Sequence, residues 1–258
     1  MAHEFDGKKY AKASAHQQEW GERLVAELDL KGAERVLDLG CGDGRVTAQL
    51  AALVPDGEVV GVDASCGMLE VAREKTGANL SFRLLDMDDL DYEDAFDVVF
   101  SNATLHWILD HPRFLLNVRR TLRKDGVLRF NFGGDGNCAH LIRVVKETMA
   151  LPEFSAQFVG FRWPWFVPSI ETYTGLAVAA GLRDVRVWRE NADRFFPDRG
   201  VLLRWVDQPC LVPFLPHIAG ADREAFRSYV HARMVEETLQ PDGRCFETFR
   251  RVNVFARK

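Results

Sequence analysis

A chain of 258 residues, 47% hydrophobic and 28% charged, is long enough to bury a substantial core as one α/β domain with an added subdomain. Its formal net charge of −5 offers no general basic surface to nucleic acid, and no stretch approaches the roughly 20 apolar residues that a membrane helix needs. The scattered Cys41, Cys66, Cys138, Cys210 and Cys245 lack metal-ligand spacing, and the start Met1-Ala2-His3-Glu4 lacks a signal-peptide pattern, so a cytoplasmic protein with reduced thiols is expected.

In chain order, residues 14–28 have helical spacing, with Trp20, Leu24, Val25 and Leu28 on one face. Val36, Leu37 and Leu39 then form a short apolar strand. Glycines follow at every second position, Gly40, Gly42 and Gly44, before a helical run over 45–53. Glycines at a strand-to-helix turn permit positive φ and let a ligand touch bare backbone at a helix N-terminus. Two carboxylates flank the loop, Asp38 in the strand and Asp43 in the turn. They oppose a pyrophosphate and suit a ligand bearing an ammonium or sulfonium. The third glycine of a dinucleotide fingerprint is due at position 45, where the chain has Arg45. Both features disfavour NAD and favour S-adenosylmethionine.

A second strand over 58–62 ends at Asp63, whose two carboxylate oxygens suit a ribose diol. The competing use, capping the helix over 64–69, is equally open to Ser65. A third strand, 80–85, leads into Asp86-Met87-Asp88-Asp89. Asp86 suits an exocyclic amine and Met87 an adenine face, unless this acidic run is a solvated turn. A fourth strand over 96–100 leads into Ser101-Asn102-Ala103-Thr104-Leu105-His106-Trp107.

Strands and helical stretches alternate from 35 to 132, which predicts a doubly wound parallel sheet with a crevice at its carboxyl ends. Further strands read at 185–188 and 252–256. The intervening 193–246 has mostly helical pattern and is too long for a hairpin turn. The expected organisation is a helical lid segment over 1–30, a core over 31–192, a helical cap with the substrate region over 193–246, and a final core strand over 247–258. Residues 158–173 concentrate rings, among them Trp163 and Trp165, beside Pro164 and Pro168. They either wall an apolar pocket or pin a long connection to the core, and Trp205 and Tyr229 are open to the same two readings. Arg162, Arg194, Arg204 and Arg244 are candidate carboxylate clamps or solvated surface side chains. His106 either orients or deprotonates an acceptor, or packs with Trp107.

Taken together, the motifs resemble those of the class I S-adenosylmethionine-dependent methyltransferases. The resemblance rests on Leu37-Asp38-Leu39-Gly40-Cys41-Gly42-Asp43-Gly44, on Val60-Gly61-Val62-Asp63-Ala64-Ser65 with Met68, and on Leu85-Asp86-Met87. It extends through Phe96-Asp97-Val98-Val99-Phe100-Ser101-Asn102 to Leu122-Arg123-Lys124-Asp125-Gly126-Val127-Leu128, where Asp125 replaces a glycine that many members carry. More narrowly, Asn102-Ala103-Thr104-Leu105-His106-Trp107 and the tail from Pro241 to Arg251 are similar to the trans-aconitate methyltransferase-like group. That group neighbours the juvenile-hormone-acid methyltransferases, and both methylate carboxylic acids.

The resemblance implies a Rossmann-like sheet of seven strands, the last antiparallel, with a helical cap inserted before it and S-adenosyl-L-methionine as cofactor. It puts the loop of Gly40, Cys41, Gly42 and Gly44 against the methionine part, Asp38 at its amino group and Asp63 at the ribose. Ala64 and Met68 flank the adenine, Asp86 lies at its amine with Met87 beside it, and Asn102 and Ala103 border the sulfonium. Tyr10, Ser14 and Gln17 resemble a segment that folds over the methionine end, the alternative being an ordinary N-terminal helix. The expected activity is methylation of a small molecule, foremost of a carboxylic acid, which is ionised at neutral pH and needs no base. The alternatives are an N- or O-methyltransferase using His106 as catalytic base, a NAD-binding oxidoreductase, and a non-catalytic cofactor-binding protein. Trp163, Trp165, Trp205, Tyr229 and Arg194 are expected at the substrate. No metal, nucleic-acid or membrane partner is expected, and a monomer is favoured.

Overall fold

The computed structural model describes residues 4–13 and 15–258, so Ser14 lies outside the described residues. In chain order the elements are α1 (Gly7–Ala13), α2 (Ala15–Ala26), β1 (Arg35–Leu39), α3 (Arg45–Leu53), β2 (Glu58–Asp63), α4 (Cys66–Ala72) and β3 (Leu80–Leu84). Then come β4 (Phe96–Asn102), α5 (His111–Thr121), β5 (Leu122–Gly133), α6 (Ala139–Met149), α7 (Pro152–Ser155), α8 (Ile170–Ala179) and β6 (Arg183–Asn191). The chain closes with β7 (Arg194–Phe196), α9 (Arg199–Trp205), α10 (Arg223–Thr238), β8 (Cys245–Glu247) and β9 (Arg250–Arg257). These residues form two compact units. The first comprises the chain up to Asp135 with Trp165–Glu190 and Arg251–Lys258, the second Gly136–Pro164 with Asn191–Arg250.

The first unit holds a seven-stranded sheet in the order β3-β2-β1-β4-β5-β9-β6. Strands β1 to β5 run parallel, and β9 pairs antiparallel with β5, Asn131 opposite Asn253 and Gly133 opposite Arg251. The strands read as unbroken apolar runs because helices cover both faces. Leu37, Leu39, Val60, Val62 and Val99 join Phe114, Leu115 and Val118 of α5 and Tyr173 and Ala177 of α8. Their neighbours Val36, Val59, Val98 and Phe100 face the other way, into Leu24 and Val25 of α2 and Leu50 and Ala51 of α3. The side-chain period of two therefore loads both layers from one short run, each buried residue contributing about 1.5–3 kcal/mol. Among the described residues, no helix is long and apolar enough to cross a membrane.

The second unit packs Phe154 and Phe158 against Phe226 of α10, and Trp205 against Phe196 and Phe249. Its β7 and β8 form an antiparallel pair, Arg194 opposite Glu247 and Phe196 opposite Cys245. The start of α6 is held by a carboxylate from elsewhere in the sequence. Fully buried Glu247 accepts the backbone N–H groups of His140, Leu141 and Thr248 and the Nδ1 of His140 at 2.7–3.3 Å. It thereby satisfies amides that a helix start leaves without partners.

This division corrects the expected boundaries. Residues 136–164, expected in the core, belong to the second unit, because their aromatic side chains pack with residues of the 193–246 insertion. Residues 247–250 go with them. In the N-terminal segment, Trp20, Leu24 and Val25 of α2 are buried within the first unit.

Glu247→Ala should cost about 2–4 kcal/mol, because it strands buried amides as well as His140. Urea unfolding checks this, and a midpoint within error of the parent would remove the cap from the account. The Glu247 hydrogen bond raises the His140 pKa above its ordinary 6.5. A raised folded-state pKa contributes stability that is complete below the unfolded value and is lost as pH rises through the folded one. The stability gap between the parent and His140→Gln should therefore shrink as the buffer is taken above neutrality.

Candidate functional site

The glycine turn after β1 and the ends of β2 and β4 surround a cleft in the first unit. Gly40, Gly42 and Gly44 all have positive φ, between 55° and 74°. The amides of Gly40 and Cys41 donate to the Val62 carbonyl at 2.8 and 3.0 Å, which ties the turn to β2. A Cβ on Gly40 would stand 2.1 Å from Thr104 Cγ2. On Gly42 it would meet only Met68 Cε, at 3.3 Å, so the Gly42 backbone is bared to the cleft.

Asp63 joins the parts. One carboxylate oxygen accepts the Gly42 N–H and the other the Ser65 N–H, each at 2.9 Å. Burial raises its pKa against the pull of these amides. Each oxygen keeps a lone pair for hydroxyl donors in the cleft. Ser65, not Asp63, caps α4, accepting the Met68 N–H at 3.3 Å.

At the other end, Ala103 takes a φ of 56° directly after β4, a strained conformation for a residue with a Cβ. The Asn102 amide donates to the Gln17 carbonyl at 2.8 Å. Asn102 Oδ1 and Gln17 Oε1 are both buried without a hydrogen-bond partner, and both residues line the cleft. Two buried acceptors left unpaired in residues that line one cleft fit an ammonium group.

Met87 and the carboxylates of Asp86 and Asp88 form a third wall. Asp86 caps its own turn, accepting the Asp88 N–H at 3.1 Å. Asp88 Oδ1 is buried and unpartnered, and burial followed by the charge of Asp86 raises its pKa. Asp88, which the sequence reading had not singled out, thus offers an acceptor beside Asp86 that an exocyclic amine would suit. Phe5 and Tyr10 complete the cleft beside Trp107, the Phe5 ring lying 5.7 Å from Trp107 and 5.9 Å from Tyr10. Nothing in the sequence periodicity marks Phe5, because the approach of its segment to α4 depends on two distant glycines meeting, Gly7 and Gly67.

Of the expected cofactor residues, the cleft brings together Gly40, Cys41, Gly42, Asp63, Ala64, Met68, Asp86, Met87, Asn102, Ala103, Tyr10 and Gln17. Asp38 and Gly44 are not among its lining residues. Asp38 is 2% exposed and accepts the Thr47 hydroxyl at 2.7 Å. Burial pushes its carboxyl up to about 7. It anchors the first turn of α3 and stands outside the lining of the cleft. Gly44 is the left-handed residue that starts α3, pressed against the Phe82 ring.

His106 also lies off the lining. Its carbonyl accepts the Phe166 N–H at 2.8 Å, and its Nδ1 is buried without a partner. Burial, then Arg251 and His111, push its pKa down to about 3. This corrects the expectation of a catalytic base, because such an imidazole is neutral and a weak proton acceptor at physiological pH.

Of the expected substrate residues, Trp165 lies in the same unit as the cleft, edge-on to Trp107 at 5.7 Å. Trp163, Trp205, Tyr229 and Arg194 belong to the second unit. There Trp205 is 2% exposed between Phe196 and Phe249, so it is core and not a pocket wall. Trp163 packs at a tilt against Phe214 beneath the Lys146 ammonium, Tyr229 is exposed on α10, and Arg194 lies in β7.

A family model described as a methyltransferase domain matches residues 30–157. The chain is 33% identical over 241 residues to a trans-aconitate 2-methyltransferase of Methylobacterium radiotolerans, covering 91% of each chain. It is 31% identical to a Deinococcus radiodurans protein of the same name, over 89% of this chain and 88% of that one. Its fold is similar to that of Haemonchus contortus phosphoethanolamine N-methyltransferase 2 in complex with S-adenosyl-L-methionine. The TM-score is 0.62 at 19% identity, over 98% of this chain and 56% of that one. The cleft suits that cofactor: bared Gly42, a carboxylate for a diol, unpartnered acceptors for an ammonium and acidic acceptors for an exocyclic amine.

Losing the charged contacts of Asp63 should weaken binding of S-adenosylhomocysteine about ten- to a hundredfold in Asp63→Ala. Calorimetry reads this directly, and unchanged affinity would take Asp63 out of the site. Gly42→Val should abolish binding, since its side chain enters the cleft.

Proposed function

The chain belongs to the class I S-adenosylmethionine-dependent methyltransferases, and we propose that within them it methylates a carboxylate of a small organic acid. The observation that carries this reading is the likeness over 91% of both chains to a relative named for trans-aconitate methylation. The chemistry of the first unit supports it. A carboxylate is ionised above a pH of about 4 and needs no proton removed before it attacks. His106, with a pKa pushed down to about 3, is unsuited to deprotonating an amine or phenol.

Bound S-adenosylmethionine supplies a methyl carbon on a sulfonium, so that a C–O bond forms as the C–S bond breaks, the electron pair passing to sulfur and no proton moving. The residues of the chain have positioning and desolvation to provide. Asp63 would hold the ribose hydroxyls, Asn102 and Gln17 the methionine ammonium, and Asp86 and Asp88 the adenine amine. Phe5, Trp107 and Ile108 narrow the cleft with apolar surface. Excluding water favours a step in which an anion and a cation become neutral, and fixed placement supplies much of the rate. The carboxylates along the cleft work against NAD, whose pyrophosphate they would repel.

Incubation of the protein with methyl-labelled S-adenosylmethionine and a panel of acids, amines and phenols, trans-aconitate among them, tests the reading. The labelled product should be an ester that mild alkali cleaves; an alkali-stable product would sink the proposal. At saturating cofactor, turnover should show no acid limb from the acceptor or from His106 between pH 8 and about 6, and His106→Gln should leave the shape of the profile unchanged. Neither the acceptor carboxylate nor His106 changes charge in that range.

A further inference from the structure

Two groups take no part in the lining of the cofactor cleft, and the first, half-buried His106, follows β4 in the chain. His106 directly precedes Trp107 and lies two residues past Thr104, both of which line the cleft. Its Nδ1 is buried with no hydrogen-bond partner. A buried polar atom without a partner is rare in a folded protein and needs an explanation.

The second group is Arg251, which lies opposite Gly133 at the carboxyl end of β5 and is 3% exposed. Its Nε and Nη2 donate to Asn131 Oδ1 at 2.8 and 2.6 Å, Nη2 also reaches the Asn131 carbonyl at 3.2 Å, and the guanidinium stacks over Trp20 at 4.3 Å. Asn131 is held in turn, donating to Asn253 Oδ1 at 2.9 Å. The same oxygen accepts from Arg129, which pairs with Glu27 at 2.7 Å. Asn131 pairs with Asn102 across β4 and β5, which puts the support of Arg251 one strand from the cleft.

We propose that His106 and Arg251 bind one oxygen of the acceptor carboxylate, leaving its other oxygen to attack the methyl carbon. This rests on the carboxylate reading above. In the tautomer with its proton on Nδ1, His106 donates a neutral hydrogen bond, and Arg251 supplies the charge. Charge from one side only keeps the carboxylate nucleophilic, because a second cation on it would withdraw the electron density that the attack uses. Burial first, and then the field of Arg251, keep His106 neutral. No proton changes place in this arrangement, and both groups act by touching the substrate.

The test uses the full chain with trans-aconitate and the other acids of the panel as probes. His106→Leu should raise the KM of the best acid about tenfold or more while S-adenosylhomocysteine affinity stays within about twofold of the parent. His106→Gln, which keeps a hydrogen-bonding amide, should restore KM to within about threefold. Arg251→Lys, which keeps the charge but loses the planar fork, should raise KM without lowering cofactor affinity. An unchanged KM in His106→Leu overturns the inference. So does a loss of cofactor affinity and melting temperature in parallel with KM, which would make these groups structural. If the parent forms no ester with any acid, the functional reading fails first and the inference falls with it. If the parent forms one and His106→Leu matches it, the inference alone is wrong.

Discussion

The site depends on one carboxylate accepting two backbone amides. Asp63 ends β2 and holds the glycine turn through Gly42 and the approach to α4 through Ser65. The end of β2, the approach to α4 that follows it and the glycine turn well before it in the chain are thereby fixed at one point. The arrangement costs desolvation, seen in the raised pKa of Asp63, and the two N–H donors offset part of it. A diol in the cleft would offset more, which links folding of the turn to binding. The backbone ties from Gly40 and Cys41 to Val62 keep the turn against β2 on the same strand. A shift in the β1–β2 register would break all of these together, so the packed sheet guarantees the geometry of the turn.

Charge is arranged unevenly around this point. Asp43, Asp63, Asp86 and Asp88 line the cleft, a concentration of acidic groups that favours a cationic ligand. Arg251, Arg129 and the asparagine pair lie toward β5 and β9 on the other side of β4. A carboxylate acceptor approaching the acidic side would be repelled, whereas the side of Arg251 would attract it. The sheet order thus separates a region suited to the cation from one suited to the anion, with β4 between them.

The sheet was legible because apolar runs ended at chemistry-bearing residues: Asp38 to Gly44, Asp63, Asp86, and Asn102 to Trp107. Alternate residues such as Val36 and Leu37 serve opposite layers, so each strand appears as a solid hydrophobic run bounded by turn residues. Asp125 departs from the expected residue type but keeps a backbone conformation that glycine favours. It stands where the resemblance expects a glycine and takes a φ of 63°, which aspartate tolerates better than most side chains. The second unit was less legible because its core forms from residues far apart in sequence. Phe154 and Phe158 meet Phe226, and Glu247 meets His140, so neither local period nor composition shows that 136–164 belongs there. Asp38 was misplaced for a related reason. A motif alignment fixes its position in the strand, yet Thr47, in the first turn of α3, claims its carboxylate.

The network behind Arg251 shows why such a group persists in a core. Replacing a buried, hydrogen-bonded charge by well-packed apolar side chains is often neutral or stabilising. Arg129, Asn131, Asn253 and Arg251 are all at most 3% exposed, an investment of polar groups that stability alone does not explain. Each one orients the next, from Glu27 through Arg129 and Asn253 to Asn131 and Arg251. The chain of bonds ends at a guanidinium whose direction is fixed before any ligand arrives. Preorganisation of that kind lowers the cost of orienting an anion at the moment of reaction, which is where a methyl transfer without proton movement gains its rate. The neutral His106 belongs to the same design, because a protonated imidazole beside Arg251 would set two buried cations against each other.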